Sequence, residues 1–189
     1  MSIKVSIDAS GGDFGFSVTI NAGIKALKTY DDLMVNFVGD KAGIENELNN
    51  NSSYSKFADR INITHASEVI NMSDSPSVAL RHKKDSSMRV AINLVKNGEA
   101  DACVSAGNTG ALMSIARFVL KTIKGVDRPA IMSAVPTLTG PTHVLDLGAN
   151  IDSKPSTLLQ FAIMGSIAVQ NTENIKNPSV GLLNVGSEE

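Results

Sequence analysis

The chain has one cysteine, Cys103, so no disulfide can form within it, and this usage suits a reducing cytosol. Its histidines, His65, His82 and His143, stand far apart, and neither an HxxxH nor a CxxC spacing occurs. The sequence therefore carries no metal-site signature, and no metal or cofactor is expected. No apolar run approaches the length of about 18 residues that a membrane-spanning helix needs. The opening MSIKVSIDA enters a strand pattern at once and lacks the layout of a signal peptide. A net charge of −2 excludes a polybasic nucleic-acid binder on bulk grounds.

What is present is a chain of 189 residues, 42% hydrophobic, with 15 glycines. That length suits a single α/β domain over 1–189, or a portion of a larger protein. Apolar, β-branched runs predict strands over 3–8, 33–38, 61–64, 102–105, 130–134, 144–147 and 180–185. The runs are mostly continuous, as in strands covered on both faces. Helical spacing predicts helices over 17–28, 41–48, 87–96, 109–121 and 156–169. This alternation argues for an α/β layered fold with a largely parallel sheet, in which ligands bind at the carboxyl ends of strands. The sequence stops at VGLLNVGSEE, just after a strand pattern, so the chain is expected to be the incomplete N-terminal part of a longer protein.

Four small or charged loops follow strands. In 8-DASGGDFG-15, Gly11 and Gly12 admit backbone angles closed to other residues, and Asp13 is placed to cap the next helix. The stretch does not match GxGxxG. In 74-DSPSVALRHKKDSSMR-89, Arg81, Lys83, Lys84 and Arg89 gather near Ser86 and Ser87, which open a helix. Such a run is either a solvated face or an anion site. In 104-VSAGNTGALM-113, Ser105, Gly107, Asn108, Thr109 and Gly110 stand at the start of a helix whose first amides lack partners. This is either a plain capped turn or a phosphate cradle, and without a lysine after the second glycine it is no Walker A loop. The fourth loop, 146-DLGANIDSKP-155, reads as an Asx-turn around Gly148 and Asn150, and 184-NVGSEE-189 again pairs a strand end with Asn184 and Gly186. Together the loops point to an anionic or phosphorylated ligand.

In order along the chain, DASGGD (8–13), VGD (38–40), ALRHKKDSSM (79–88), SAGNTGALM (105–113), RPAI (128–131), LDLGAN (145–150), QFAIMG (160–165) and GLLNVGSEE (181–189) resemble the phosphate acyltransferases called PlsX. Ser10 stands where that family usually has Met, and Phe14-Gly15-Phe16 where a His-Ala-Pro-like segment is frequent. The resemblance implies a three-layer α/β/α sandwich similar to isocitrate dehydrogenases and phosphotransacetylases. It implies transfer of a fatty acyl group from acyl carrier protein to inorganic phosphate for phospholipid synthesis. It further implies a homodimer, cytoplasmic and in peripheral membrane contact through a C-terminal part absent from this sequence.

In that reading Lys84, Asn108, Asn150 and Asn184 carry catalysis. Gly11, Gly12, Arg81, Ser86, Ser87, Ser105, Gly107, Thr109, Gly110, Gly148 and Gly186 line the phosphate and substrate site. The thioester's thiol leaves readily, with a pKa of about 8.5, so the protein's tasks are to position phosphate and stabilise charge, without an enzyme nucleophile. Cys103, inside a strand pattern, is read as a core residue. The basic run 81–89 serves either phosphate or the acidic acyl carrier protein. Two alternatives stand: an inactive or ligand-binding fragment, and a metal-dependent dehydrogenase of the isocitrate type, which needs clustered carboxylates.

Overall fold

The computed structural model describes residues 2–150 and 152–184. The chain forms two compact units, Met1–Lys121 and Thr122–Glu189. In the first, β1 (Ile3–Asp8), β2 (Leu33–Gly39), β3 (Ile61–His65) and β4 (Ala102–Val104) make one parallel sheet in the order β3-β2-β1-β4. Val5 pairs with Val35 on one side and Ala102 on the other, and Ile7 with Phe37 and Val104.

Side chains alternate across this sheet, and the alternation builds three layers. Val35 and Phe37 point to one face, where α1 (Phe16–Thr29) and α2 (Lys41–Asn50) bury Ile20, Ile24, Leu27, Ile44 and Leu48. Val38 points to the other, against Ala91 and Leu94 of α4 (Ser87–Lys96). Ser6 faces the same way, and its hydroxyl donates to the Ala91 carbonyl at 2.9 Å. A third cluster joins α4, α3 (Pro76–His82) and α5 (Thr109–Leu120). It is built on Met88, Ile92, Ala111, Ile115 and Val119, at helical spacing in each element. The three-layer α/β/α arrangement read from the sequence is thus present in this unit. The short α3 was not predicted, since the polar PSVALRH gives little periodicity; it is started by the Ser75 cap and Pro76 at its first turn.

The second unit holds an antiparallel pair, β5 (Met132–Thr137) and β6 (Gly140–Leu145), and α6 (Pro155–Thr172). Both strands are longer than the apolar runs predicted, and Pro136 pairs with Pro141. Two prolines and three threonines hide this ribbon in the sequence, and β5 is mostly exposed rather than covered on both faces. Residues 178–184 form no strand, contrary to the expectation for 180–185. Val180, Leu182 and Leu183 are exposed, and a strand needs a neighbour to pair with. Val185 lies outside the described residues.

Candidate functional site

The loops after β1 and β4 meet because their strands are adjacent. Asp8, 1% exposed, accepts a 2.6 Å hydrogen bond from the Ser105 hydroxyl, which in turn accepts from the Gly107 amide at 3.1 Å. Gly11 lies across this pair: a Cβ there would stand 2.5 Å from Asp8 Oδ2 and 3.2 Å from the Gly107 nitrogen. At Gly12, φ +85°, a Cβ would stand 3.0 Å from the Ala106 carbonyl oxygen. Both glycines of the first loop therefore serve the fit between the two loops. Asp8 Oδ1 is buried without a hydrogen-bond partner, as is Ser10 Oγ.

Asn108 begins α5 and holds the neighbouring loop. Its Oδ1 accepts from the Ala111 amide at 3.0 Å. Its Nδ2 donates to the carbonyls of Asn71, Met72 and Asp74 at 3.3, 3.0 and 2.9 Å. The 71–74 loop is fixed from its other side by Lys83, whose Nζ bonds Asp74 Oδ2 and the Val69 carbonyl, both at 2.6 Å. The hydrogen bond from Lys83, then that from the Asn71 amide, holds the Asp74 carboxyl below its usual range.

With Asn108 committed to the cap, the groups left at this helix start are the first backbone amides and the Thr109 hydroxyl. The Leu112 amide turns to the Asn108 carbonyl, while no group among the described residues accepts from the amides of Thr109 and Gly110. Both residues are exposed. They carry the positive end of the α5 dipole, and a hydrogen-bonding anion is the complementary ligand. Gly110 also packs closely, since a Cβ there would meet Pro76 Cγ at 2.9 Å.

The basic run divides. Ser86 is fully buried; its hydroxyl accepts from the Arg89 amide at 3.3 Å and donates to the Lys83 carbonyl at 2.8 Å, capping α4. Ser87 is buried and its amide bonds the Glu68 carbonyl. Arg89 stacks on the Phe118 ring at 5.3 Å. Lys84 and Arg81 are exposed, with no bond to the 105–110 loop. Cys103 is half-buried, and desolvation pushes its thiol up to about 11, the chemistry of a core thiol rather than a nucleophile.

In the second unit, Asp146 organises its own turn. Its Oδ1 accepts from the Ile131 and Ala149 amides, and its Oδ2 from the Asn150 amide and side chain. Burial opposes ionisation of Asp146, and these donors outweigh it, so the carboxyl sits below its usual range. Asn150 also donates to the Pro129 carbonyl at 3.0 Å, and Gly148 turns the chain at φ +81°. Asn184 is exposed in irregular chain, and Gly186 lies outside the described residues.

The Asp8–Ser105 bond and the Lys83–Asp74 bridge were not singled out from the sequence. Each joins residues whose proximity depends on which strands and loops are neighbours, and residue spacing carries no such information. Among the described residues no group of three His, Cys, Asp or Glu side chains gathers to hold a metal ion, and no helix is long and apolar enough to cross a membrane.

A sequence model of the family described as "Fatty acid synthesis protein" matches residues 3–189. The phosphate acyltransferase of Ruthia magnifica subsp. Calyptogena magnifica is 65% identical over 189 residues, covering 100% of this chain and 56% of that protein. That of Methylococcus capsulatus is 55% identical over 185 residues, 98% of this chain and 54% of its own length. That of Legionella pneumophila strain Paris is 54% identical over 188 residues, covering 100% of this chain and 54% of the relative. The chain spans about half the length of the curated relatives it matches.

Proposed function

The chain belongs to the fatty acid synthesis protein family, and from that premise we propose that it supplies the phosphate-binding part of a phosphate acyltransferase. The reaction is attack of inorganic phosphate on the thioester of acyl carrier protein. A carbon–oxygen bond forms, the carbon–sulfur bond breaks, the phosphate's proton passes to the thiol, and acyl-phosphate is released. What supports the reading is one observation: the two unbonded, exposed amides of Thr109 and Gly110 at the start of α5.

These amides hold a phosphate oxygen or the oxyanion of the tetrahedral intermediate. Donors fixed in advance stabilise such charge without reorganising, and loss of one costs on the order of 10²–10³ in rate. Asn108 fixes where they point. Exposed Lys84 and Arg81 raise the local phosphate concentration or dock the acidic carrier protein. Asn150, with its side-chain amide committed to Pro129 and Asp146, keeps its loop in shape, and Asn184 supplies a neutral donor. In the same reading the longer protein is a homodimer, cytoplasmic, with peripheral membrane contact. A second reading, phosphate binding without turnover by these 189 residues alone, is favoured by the half-length match to the relatives.

Thr109→Pro tests the proposal. Proline fits the first position of a helix and removes the N–H together with the threonine hydroxyl, which Thr109→Val removes alone, and Asn108 already has the extended backbone (φ −59°, ψ 110°) that precedes proline. Phosphate titrated into the wild-type chain should shift the NMR amide signals of Thr109 and Gly110, and Thr109→Pro should remove that binding with α5 intact. Equal phosphate binding by Thr109→Pro overturns the site. Incubation with radiolabelled phosphate and acyl carrier protein thioester then separates the two readings by whether acyl-phosphate forms.

A further inference from the structure

A serine hydroxyl has one proton to give and two lone pairs to accept with. At Ser105 the proton goes to Asp8 Oδ2 at 2.6 Å, and the Gly107 amide takes one lone pair at 3.1 Å. One lone pair is left. The bond to Asp8 has the length of an O–H donor on a charged oxygen, about 2.5–2.7 Å, a class roughly twice as strong as neutral pairs. Asp8 is 1% exposed, its Oδ1 has no partner, and no cation pairs with it among the described residues. Turning the Ser105 proton away would leave a buried carboxylate without any side-chain donor, so the hydroxyl is held with its proton on Asp8.

The pair lies against the loop that begins α5. A Cβ on Gly107 would stand 3.2 Å from Ser105 Oγ and 3.5 Å from Asp8 Oδ2. Gly107 is two residues from Thr109, whose amide is unbonded, so at most about 7 Å of extended chain lies between them. A tetrahedral oxyanion with hydrogen bonds of about 2.7–3.0 Å on either side bridges such a distance. The site thus offers donors, the Thr109 and Gly110 amides, and one half-buried acceptor backed by a buried carboxylate. The exposed Thr109 hydroxyl turns to give or to accept and favours neither kind of ligand oxygen.

We propose that Ser105, set by Asp8, selects a tetrahedral oxyanion that carries a proton. The bare oxygens sit on the Thr109 and Gly110 amides, and the ligand's O–H donates to the remaining Ser105 lone pair. Hydrogen phosphate and sulfate share a shape and a double negative charge, and only hydrogen phosphate has a proton to give. Sulfate sets a lone pair against the Ser105 lone pair, with the Asp8 charge behind it. The dipole at the start of α5 responds to charge and treats the two ions alike. Ser105 is thereby a specificity-determining contact, and Asp8 a positioning residue that acts through it. This inference rests on the phosphate reading and adds to it what turns other anions away.

The test titrates inorganic phosphate and sulfate separately into the chain, at neutral pH and constant ionic strength, with the Thr109 and Gly110 amide signals as the readout. Phosphate should bind at least about tenfold more tightly than sulfate, the effect of roughly one hydrogen bond to a charged group. Ser105→Ala removes the acceptor, and the affinity ratio should fall to within about twofold of one. Asp8→Val removes the group that holds the proton, so the Ser105 hydroxyl turns to donate and sulfate should gain affinity. Should Asp8→Val not fold, the wild-type ratio and Ser105→Ala decide the matter. A merely structural role for the pair would weaken both ions together and leave the ratio as it was. Equal affinity for the two ions in the wild type, or a ratio that Ser105→Ala does not change, overturns the proposal while the phosphate reading stands. Binding of neither ion overturns both.

Discussion

Asp8 and Ser105, separated by 97 positions, are joined by a 2.6 Å hydrogen bond at the carboxyl ends of neighbouring parallel strands. That bond couples the first glycine-rich loop to the loop that begins α5. It is the one side-chain partner Asp8 has among the described residues, since Oδ1 is buried and unbonded. Ser105→Ala should therefore cost about 1–3 kcal/mol by leaving a buried acceptor without a donor. Asp8→Asn combined with Ser105→Ala should cost less than the two single changes added. Denaturant unfolding of the four variants measures the coupling, and strict additivity would show the contact to be energetically idle.

Much of this arrangement is legible in the sequence, and the boundary is physical. Ile3–Asp8 and Ser87–Lys96 are found at the bounds their apolar periodicity predicts, the first because β1 pairs with a strand on each side and the second because α4 buries one face. Asn108 is readable as a cap from its place before TGALM. Its three bonds to the 71–74 loop are not readable, since they depend on α3 packing beside α5, and α3 gives no periodic signal. Gly11 and Gly12 look like ligand-clearing glycines, but the neighbours they make room for are Asp8 and Ala106. Residues 180–184 show the converse: an apolar run predicts a strand, yet without a pairing edge the propensity yields irregular chain.

Cys103 should be unreactive. Its thiol is raised to about 11, first by desolvation, with a hydrogen bond involving Ser6 opposing and the Asp8 charge adding to the rise. At pH 8 the thiolate fraction is then small, and alkylation by iodoacetamide should run at least about tenfold slower in the native chain than in the denatured one. Equal rates would place the thiol in open solvent.

Acid should loosen the 67–85 segment before the sheet. Asp74 is held below its ordinary 3.8 by Lys83 and the Asn71 amide, and Asp85 by the Ser67 hydroxyl and amide. A carboxyl with a lowered folded value binds fewer protons folded than unfolded. Its stabilisation is present above 3.8 and lost as pH falls through the lower folded value. Lys83→Met removes the leading cause at Asp74, so the loss should begin nearer 3.8. Amide exchange of residues 69–75 across an acid titration reads this, and an unmoved midpoint would deny the bridge its role.

Asn108→Asp sets two physical effects against each other. A carboxylate at a helix N-cap is favourable for an isolated helix, and its oxygen can still accept from the Ala111 amide. The second oxygen, however, replaces an NH₂ that donates to three carbonyls at 2.9–3.3 Å, so every one of those contacts turns repulsive. The buried setting, 8% exposed, gives the repulsion the larger weight, and a loss of about 1–3 kcal/mol is expected. Asn108→Ser keeps the cap without the second oxygen and should lose less. A thermal melt separates the outcomes: Asn108→Asp melting at or above the wild type would mean that the cap dominates. The 71–74 clamp would then be incidental to how the Thr109 and Gly110 amides are presented.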